Sequence, residues 1–233
     1  MLKKKKILIT SGGTREYIDD VRVMTNISSG ALGAKIADHL HSKGAEIVYV
    51  HGAGSVLPKR KNRPNLTCLE ASTADEVLKL MQSLIGIKMI DAVIHCMAVS
   101  DFTFKRTDPV KLKSNSPEDF IEYMRVNIQK NPKIISQIKE WDPNVILVGF
   151  KFEVGVPHET LIELAYNSIR TNKCDMVLAN DKVEMIEEGV HVGHLVFSED
   201  LVGRGGLSNI TACGKDEIAE VIGTALNMLL KKK

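Results

Sequence analysis

Apolar residues in this chain fall into short β-rich runs separated by segments of helical period. The first run, residues 6–10, centres on Ile7-Leu8-Ile9 and reads as a strand buried on both sides. After a stretch read as loop as far as Ser28, residues 29–43 repeat Leu32, Ile36, Ala37 and Leu40 at helical spacing, with Gly44 placed to end the helix. Further strands are predicted at residues 46–51, 66–70, 89–96, 144–150 and 175–179. Thr73 with Glu76 has the form of a capping box, opening a helix that runs to about Leu84. A helix opening at Asn131-Pro132, with Pro132 in its first position, continues through Ile134, Ile135 and Ile138. Residues 157–171 and 215–230 complete the predicted helices, and residues 120–127 fit either strand or helix. Residues 184–198 read as a hairpin turning near Glu188-Gly189. Alternating strands and helices imply an α/β fold: a doubly wound, mainly parallel, Rossmann-like sheet with a hairpin or flap addition. No internal repeat or low-complexity linker divides the chain, so residues 1–233 are expected to form one domain.

Composition narrows the function classes. Apolar residues make up 44% and charged residues 26%, which fits an ordered globular chain. A net charge of +2 is too small for a broad nucleic-acid-binding field. No apolar stretch approaches the roughly 20 residues of a membrane span, and no secretory signal is recognisable, so a cytoplasmic protein is expected. The cysteines at 68, 96, 174 and 213 are scattered and lie in or beside apolar runs, as buried reduced thiols would. The seven histidines show no ligand spacing, so no protein-held metal site is assigned.

The unusual residues sit where predicted strands end. The first strand breaks into Ser11-Gly12-Gly13-Thr14, and a second cluster, Asn26-Ile27-Ser28-Ser29-Gly30, precedes the first helix with Gly33 inside it. A glycine turn beside a helix N-terminus offers unpaired N–H groups to an anion, and glycine lets the backbone come close. The spacing matches neither the dinucleotide fingerprint nor the phosphate loop ending in Gly-Lys-Ser/Thr, so the ligand class is phosphate-bearing but unnamed. Ala98 to Asp101, Phe150 and Asn180-Asp181 fall at other strand ends, so several ends nominate one crevice. Asn26 could hydrogen-bond a carbonyl or a developing anion, or simply form a turn. Lys111 and Lys113 could neutralise phosphate from a movable loop, or be solvated loop residues. No Ser/His/Asp or Cys/His arrangement is visible.

Together these residues resemble the phosphopantothenate–cysteine ligases of coenzyme A biosynthesis. The resemblance covers nearly the whole chain. It rests on Ser11-Gly12-Gly13-Thr14-Arg15, Asp20-Val21-Arg22, Asn26 to Gly30, Ala98-Val99-Ser100-Asp101-Phe102, Lys111-Leu112-Lys113-Ser114, Asn131-Pro132, Gly149 to Glu153 and Ala179-Asn180-Asp181. It implies a ligase that joins 4′-phosphopantothenate to L-cysteine through an acyl-nucleotide, with CTP preferred over ATP and Mg2+ as the counter-ion. Gly12, Gly13, Ser28, Ser29, Gly30 and Gly33 match the triphosphate cradle, and Phe150 and Asn180 match nucleotide contacts. Asn26 matches an asparagine that contacts the acyl-nucleotide, and Arg22 an arginine near it. Ala98 and Asp101 match substrate or base contacts, and Lys111 a lysine on a closing flap. The resemblance further implies a homodimer and a free-standing form whose decarboxylase is a separate protein. One departure bears on the nucleotide. Two lysines that many bacterial relatives carry on the helix before the Asp-x-x-x-x-Asn strand correspond here to Ser168 and Asn172.

Two other functions compete. A nicotinamide-dependent reductase would carry an acidic residue at the end of the second strand, where Val50-His51-Gly52 stands. A non-catalytic nucleotide sensor would keep the glycine cradle without needing Asn26 or Lys111.

Overall fold

The computed structural model describes residues 2–105, 116–205 and 207–231. In chain order the elements are β1 (Lys6–Ser11), β2 (Arg15–Tyr17), β3 (Val23–Thr25), α1 (Ala31–Ser42), β4 (Glu46–His51), β5 (Leu66–Glu70) and α2 (Ala74–Gly86). There follow β6 (Ala92–His95), β7 (Phe102–Phe104), α3 (Pro117–Asn127), β8 (Ile128–Lys130), α4 (Ile134–Trp141), β9 (Ile146–Glu153) and α5 (His158–Asn172). The C-terminal part holds β10 (Met176–Asp181), α6 (Lys182–Glu187), β11 (Val192–Phe197), α7 (Glu199–Gly205), β12 (Ile210–Cys213) and α8 (Lys215–Lys231).

One sheet orders its strands β12-β11-β10-β9-β6-β1-β4-β5. All pairings from β5 to β10 are parallel, while β11 and β12 add antiparallel strands at one edge. The chain leaves β1 toward β4 and β5, then crosses back to β6, β9 and β10. The order therefore reverses between β1 and β6, and such a switch point opens a crevice at the strands' C-terminal ends. The expected doubly wound, mainly parallel fold is the one found.

Alternation along buried strands decides the two layers. Ile7 and Ile9 of β1 face α1 and α8, whereas Leu8 faces the α2, α4 and α5 side. Thr73 accepts from the Glu76 N–H and Glu76 reaches back to the Thr73 N–H, completing the predicted capping box of α2.

Three expectations need correction. Residues 184–198 do not form a hairpin: residues 182–187 are helix α6, and β11 pairs antiparallel with β10. The cause is Asp181, whose carboxylate accepts from the N–H groups of Val183 and Glu184 and so starts a helix immediately after β10. Pro132 is not in the first position of α4. That helix opens at Ile134 with Lys133 as its N-cap, because the Asn131 amide is turned onto the Ser100 carbonyl at 2.9 Å. Residues 15–25, read as loop, contain the antiparallel pair β2–β3, and β7 pairs with β8 in the same way. The ambiguous segment at 120–127 lies within α3, opened by Ser116 and by Pro117 at its start.

The candidate active site

The site is built where β1 and β6 end. Gly12 adopts φ +84°, and a side-chain carbon added there would run into Ser55. Gly13 forms a bridge to Ala98, with the Ala98 N–H donating to the Gly12 carbonyl at 2.8 Å and the Thr14 N–H donating to the Ala98 carbonyl at 3.2 Å. The loops after β1 and β6 are thereby joined. Asn26 extends the joint, because its amide donates to the carbonyls of Ala98 and Val99 at 3.3 and 3.4 Å. Thr14 accepts from the Ser100 N–H at 2.9 Å and holds the same loop from the other side.

Gly30 is the N-cap of α1 at φ +74°, with no side-chain cap and no acidic residue in the first turn. An N-terminus in that state favours an anion through its free N–H groups and its dipole. Ser29 partly occupies it by accepting from the Ala31 N–H at 3.3 Å, and Ser28 and Ser29 stay partly or fully exposed beside it. Gly33 lies inside α1, where an added carbon would press on Ser11 and on the Cys96 sulfur, so it serves the close approach of α1 to the sheet.

Below these loops opens a cleft of about 710 Å³ lined by Ala98 to Asp101, Lys130 to Ile135, Phe150 to Phe152 and one side of α5. Its size suits a nucleotide-sized ligand. Lys130 and Lys133 put positive charge on the wall, while Lys151 is paired with Glu153 at 2.7 Å. Ser168 and Asn172 line the opposite wall, and Asn172 spends its amide on the Ser168 carbonyl and hydroxyl. Sequence reasoning did not select Lys130, Lys133, Asn167 or Thr171, which reach the cleft through the placement of α4 and α5 rather than through a motif.

The other expected residues are less uniform. Phe150 and Asp101 line the cleft, Asp101 exposed at its rim. Asn180 lies in β10 beside Phe152, buried, with its amide toward the Met185 sulfur at 3.8 Å. Arg22 makes a two-point ion pair with buried Asp19 at 2.6 and 2.9 Å, and its guanidinium stacks over the Phe120 ring at 5.1 Å. It thereby ties the β2–β3 hairpin to α3. Lys111 lies outside the described residues.

His95 closes the cleft floor, with Nδ1 against the Thr10 hydroxyl at 2.8 Å. Burial pushes its pKa from 6.5 down to about 4. A depressed histidine leaves the unfolded chain to take up the proton first. Its contribution is therefore complete above pH 6.5 and is lost as pH falls toward 4. Between pH 7 and 4.5 the unfolding free energy should fall by about 2–3 kcal/mol more in the parent protein than in His95→Asn, measured by denaturant titration. Parallel pH profiles would show that His95 is protonated in the folded state too. Burial likewise raises the Cys96 thiol to about 12, which removes it as a nucleophile at neutral pH.

Residues 2–228 match the family model of the DNA/pantothenate metabolism flavoprotein C-terminal domain. The chain belongs to this family. A similar protein is the coenzyme A biosynthesis bifunctional protein CoaBC of Thermococcus kodakarensis, 36% identical over 98% of this chain and 52% of that protein. The chain thus spans about half the length of the curated relatives it matches. Among solved structures, the DNA/pantothenate metabolism flavoprotein of Streptococcus pneumoniae matches with TM-score 0.79 and 31% identity, covering 97% of this chain and 99% of that one. The C-terminal domain of a CoaBC protein matches with TM-score 0.74 and 25% identity, covering 99% of this chain and 98% of that one. Among the described residues, no helix is long and apolar enough to cross a membrane.

Proposed function

We propose that this chain joins 4′-phosphopantothenate to L-cysteine in two steps. The observation that carries the reading is the uncapped α1 N-terminus and Gly12 turn, locked through Asn26 to the 98–101 loop above the cleft, in a member of this family. In the first step the substrate carboxylate attacks the α-phosphorus of a nucleoside triphosphate, and pyrophosphate leaves. In the second the cysteine amine attacks the acyl carbon, the C–N bond forms, and the nucleoside monophosphate leaves with the acyl oxygen. Neither step needs a covalent enzyme nucleophile, so positioning and charge neutralisation carry the rate.

In this reading Gly12, Gly13, Ser28, Ser29 and Gly30 cradle the triphosphate, and Lys111, which lies outside the described residues, is proposed to supply it with positive charge. Gly33 supports the cradle by packing. Ala98, Asp101 and Phe150 hold nucleotide and substrate, Arg22 steadies the hairpin that carries Asn26, and Asn180 backs the wall at Phe152. Magnesium would accompany the triphosphate. Asp101 is the one carboxylate among the described residues lining the cleft, which suits an ion held mainly by phosphate oxygens. CTP is the proposed nucleotide on the strength of the resemblance; Ser168 and Asn172, which stand where many bacterial relatives carry lysines, bring no cation to their wall and keep ATP as the alternative. The enzyme is proposed to work in the cytoplasm. A homodimer is also proposed, supported by Val21, Val23, Phe102, Ile121, Val126 and Ile128, all exposed around the small β2–β3 and β7–β8 sheets.

The test is pyrophosphate release with 4′-phosphopantothenate and magnesium, comparing CTP with ATP, with and without cysteine. Amide formation requiring all three substrates is the expected result, with CTP the faster. Release with neither nucleotide would refute the ligase and leave a nucleotide-binding sensor.

A further inference from the structure

Away from the cleft, three elements converge on a group that sequence spacing does not reveal. His158 opens α5, Glu184 lies on α6, and His194 lies on β11. Their ligand-capable atoms all lie within 4.8 Å of one another. His194 is buried, and its Nε2 stands 3.0 Å from both carboxylate oxygens of Glu184. The His158 ring meets His194 edge-on, with centroids 4.6 Å apart. On its far side, His194 Nδ1 is 3.0 Å from the Thr211 hydroxyl.

We propose that His158, Glu184 and His194 form a binding site for a divalent transition-metal ion of the zinc class. Two imidazoles and one carboxylate are a recurrent zinc donor set, with a fourth position left for water. Zinc bonds of roughly 2.0 Å at tetrahedral angles put neighbouring donors about 3.3 Å apart, so the His194–Glu184 pair is already near the required separation. The Thr211 hydroxyl supplies the outer partner that fixes a ligating imidazole: when it accepts from Nδ1–H, the Nε2 lone pair faces the site. In that tautomer Nε2 and the Glu184 oxygens are all acceptors, an arrangement that a cation between them satisfies. His158 is exposed and Glu184 half-buried, which gives the ion a route in. Imidazole donors favour zinc over magnesium, which prefers an oxygen shell.

A bound ion would clip the start of α5, α6 and β11 together at the end of β10. Asp181 already gathers that region. Burial opposes its ionisation, yet the N–H groups of Gly155, Val156, Val183 and Glu184 hold its carboxylate below its ordinary range. None of the three proposed ligands lines the cleft, so the site is distinct from the ligase reading and is tested without substrate.

The experiment is calorimetric titration of tag-free protein with zinc chloride in a non-coordinating buffer containing excess magnesium, followed by thermal unfolding. One zinc per chain is expected, with a rise in Tm of about 5–10 °C at a hundredfold excess over Kd. Cobalt(II) should give the visible absorption of a nitrogen-ligated, low-symmetry site. His158→Asn and Glu184→Gln, at accessible positions, should each fold and each lose about tenfold or more in zinc affinity. Absence of zinc binding to the parent protein at millimolar concentration would overturn the proposal. Affinity as high as the parent's in both variants would also overturn it, by assigning the zinc to other side chains.

Discussion

Asn26→Asp is expected to slow amide formation about 100-fold while leaving nucleotide binding and Tm nearly unchanged. The parent amide donates to two carbonyls, those of Ala98 and Val99. Aspartate would set a negatively charged acceptor against both and turn the side chain away from the 98–101 loop, while the bridge from Gly13 to Ala98 and the Thr14–Ser100 bond keep the loop itself in place. The side chain is exposed, and surface substitutions of this size usually shift stability by no more than about 0.5 kcal/mol. Loss of rate without loss of fold is the signature of a residue that organises the reacting groups. Rapid-quench measurement should then find acyl-nucleotide accumulating when cysteine is present. Parent-like turnover in the variant would reduce Asn26 to a loop tether.

Gly12→Ala should be the most damaging single-methyl change at the site. Its φ of +84° is strained for any residue with a side chain, and the added carbon also collides with Ser55. Strain and overpacking together should cost about 2–4 kcal/mol, read as a Tm lower by roughly 5–15 °C. Pyrophosphate release should fall even at temperatures where the variant stays folded, because the turn can no longer lie against the bridge from Gly13 to Ala98. Adding Ser55→Gly relieves the collision but not the backbone strain. The double variant should therefore recover part of the stability and little of the activity. Full recovery of both would locate the whole effect in the collision and remove the argument from backbone conformation.

These expectations rest on features of unequal legibility. Ile7-Leu8-Ile9, the run around Val48 to Val50 and the run around Leu147 to Gly149 announced buried strands because side-chain period and burial are local properties of a strand. The Thr73–Glu76 capping box was readable for the same reason: donor and acceptor lie three residues apart. The glycine turn was readable because the needed backbone conformation excludes most other residues. The class of sheet followed from the alternation of strands and helices, whereas the strand order and the reversal between β1 and β6 are seen only in the strand pairing.

Other features were decided only by residues distant in sequence. Asn131 looked like a helix start, but its amide is committed to Ser100, thirty-one residues away. Arg22 matched by resemblance an arginine near the acyl-nucleotide, and only the fold shows it paired with Asp19 and stacked over Phe120 in the join between hairpin and helix. The segment after β10 became a helix because the Asp181 carboxylate gathers amides from both sides of the strand end. His158, Glu184 and His194 had no recognisable spacing at all, since their meeting depends on α5 and β11 packing about β10. The sequence by itself determined the parallel strands, the sheet class, the glycine turn and the family. Tertiary structure decided which polar groups were already spoken for and which remained to face a ligand, because hydrogen-bond partners are assigned by proximity in space, not along the chain.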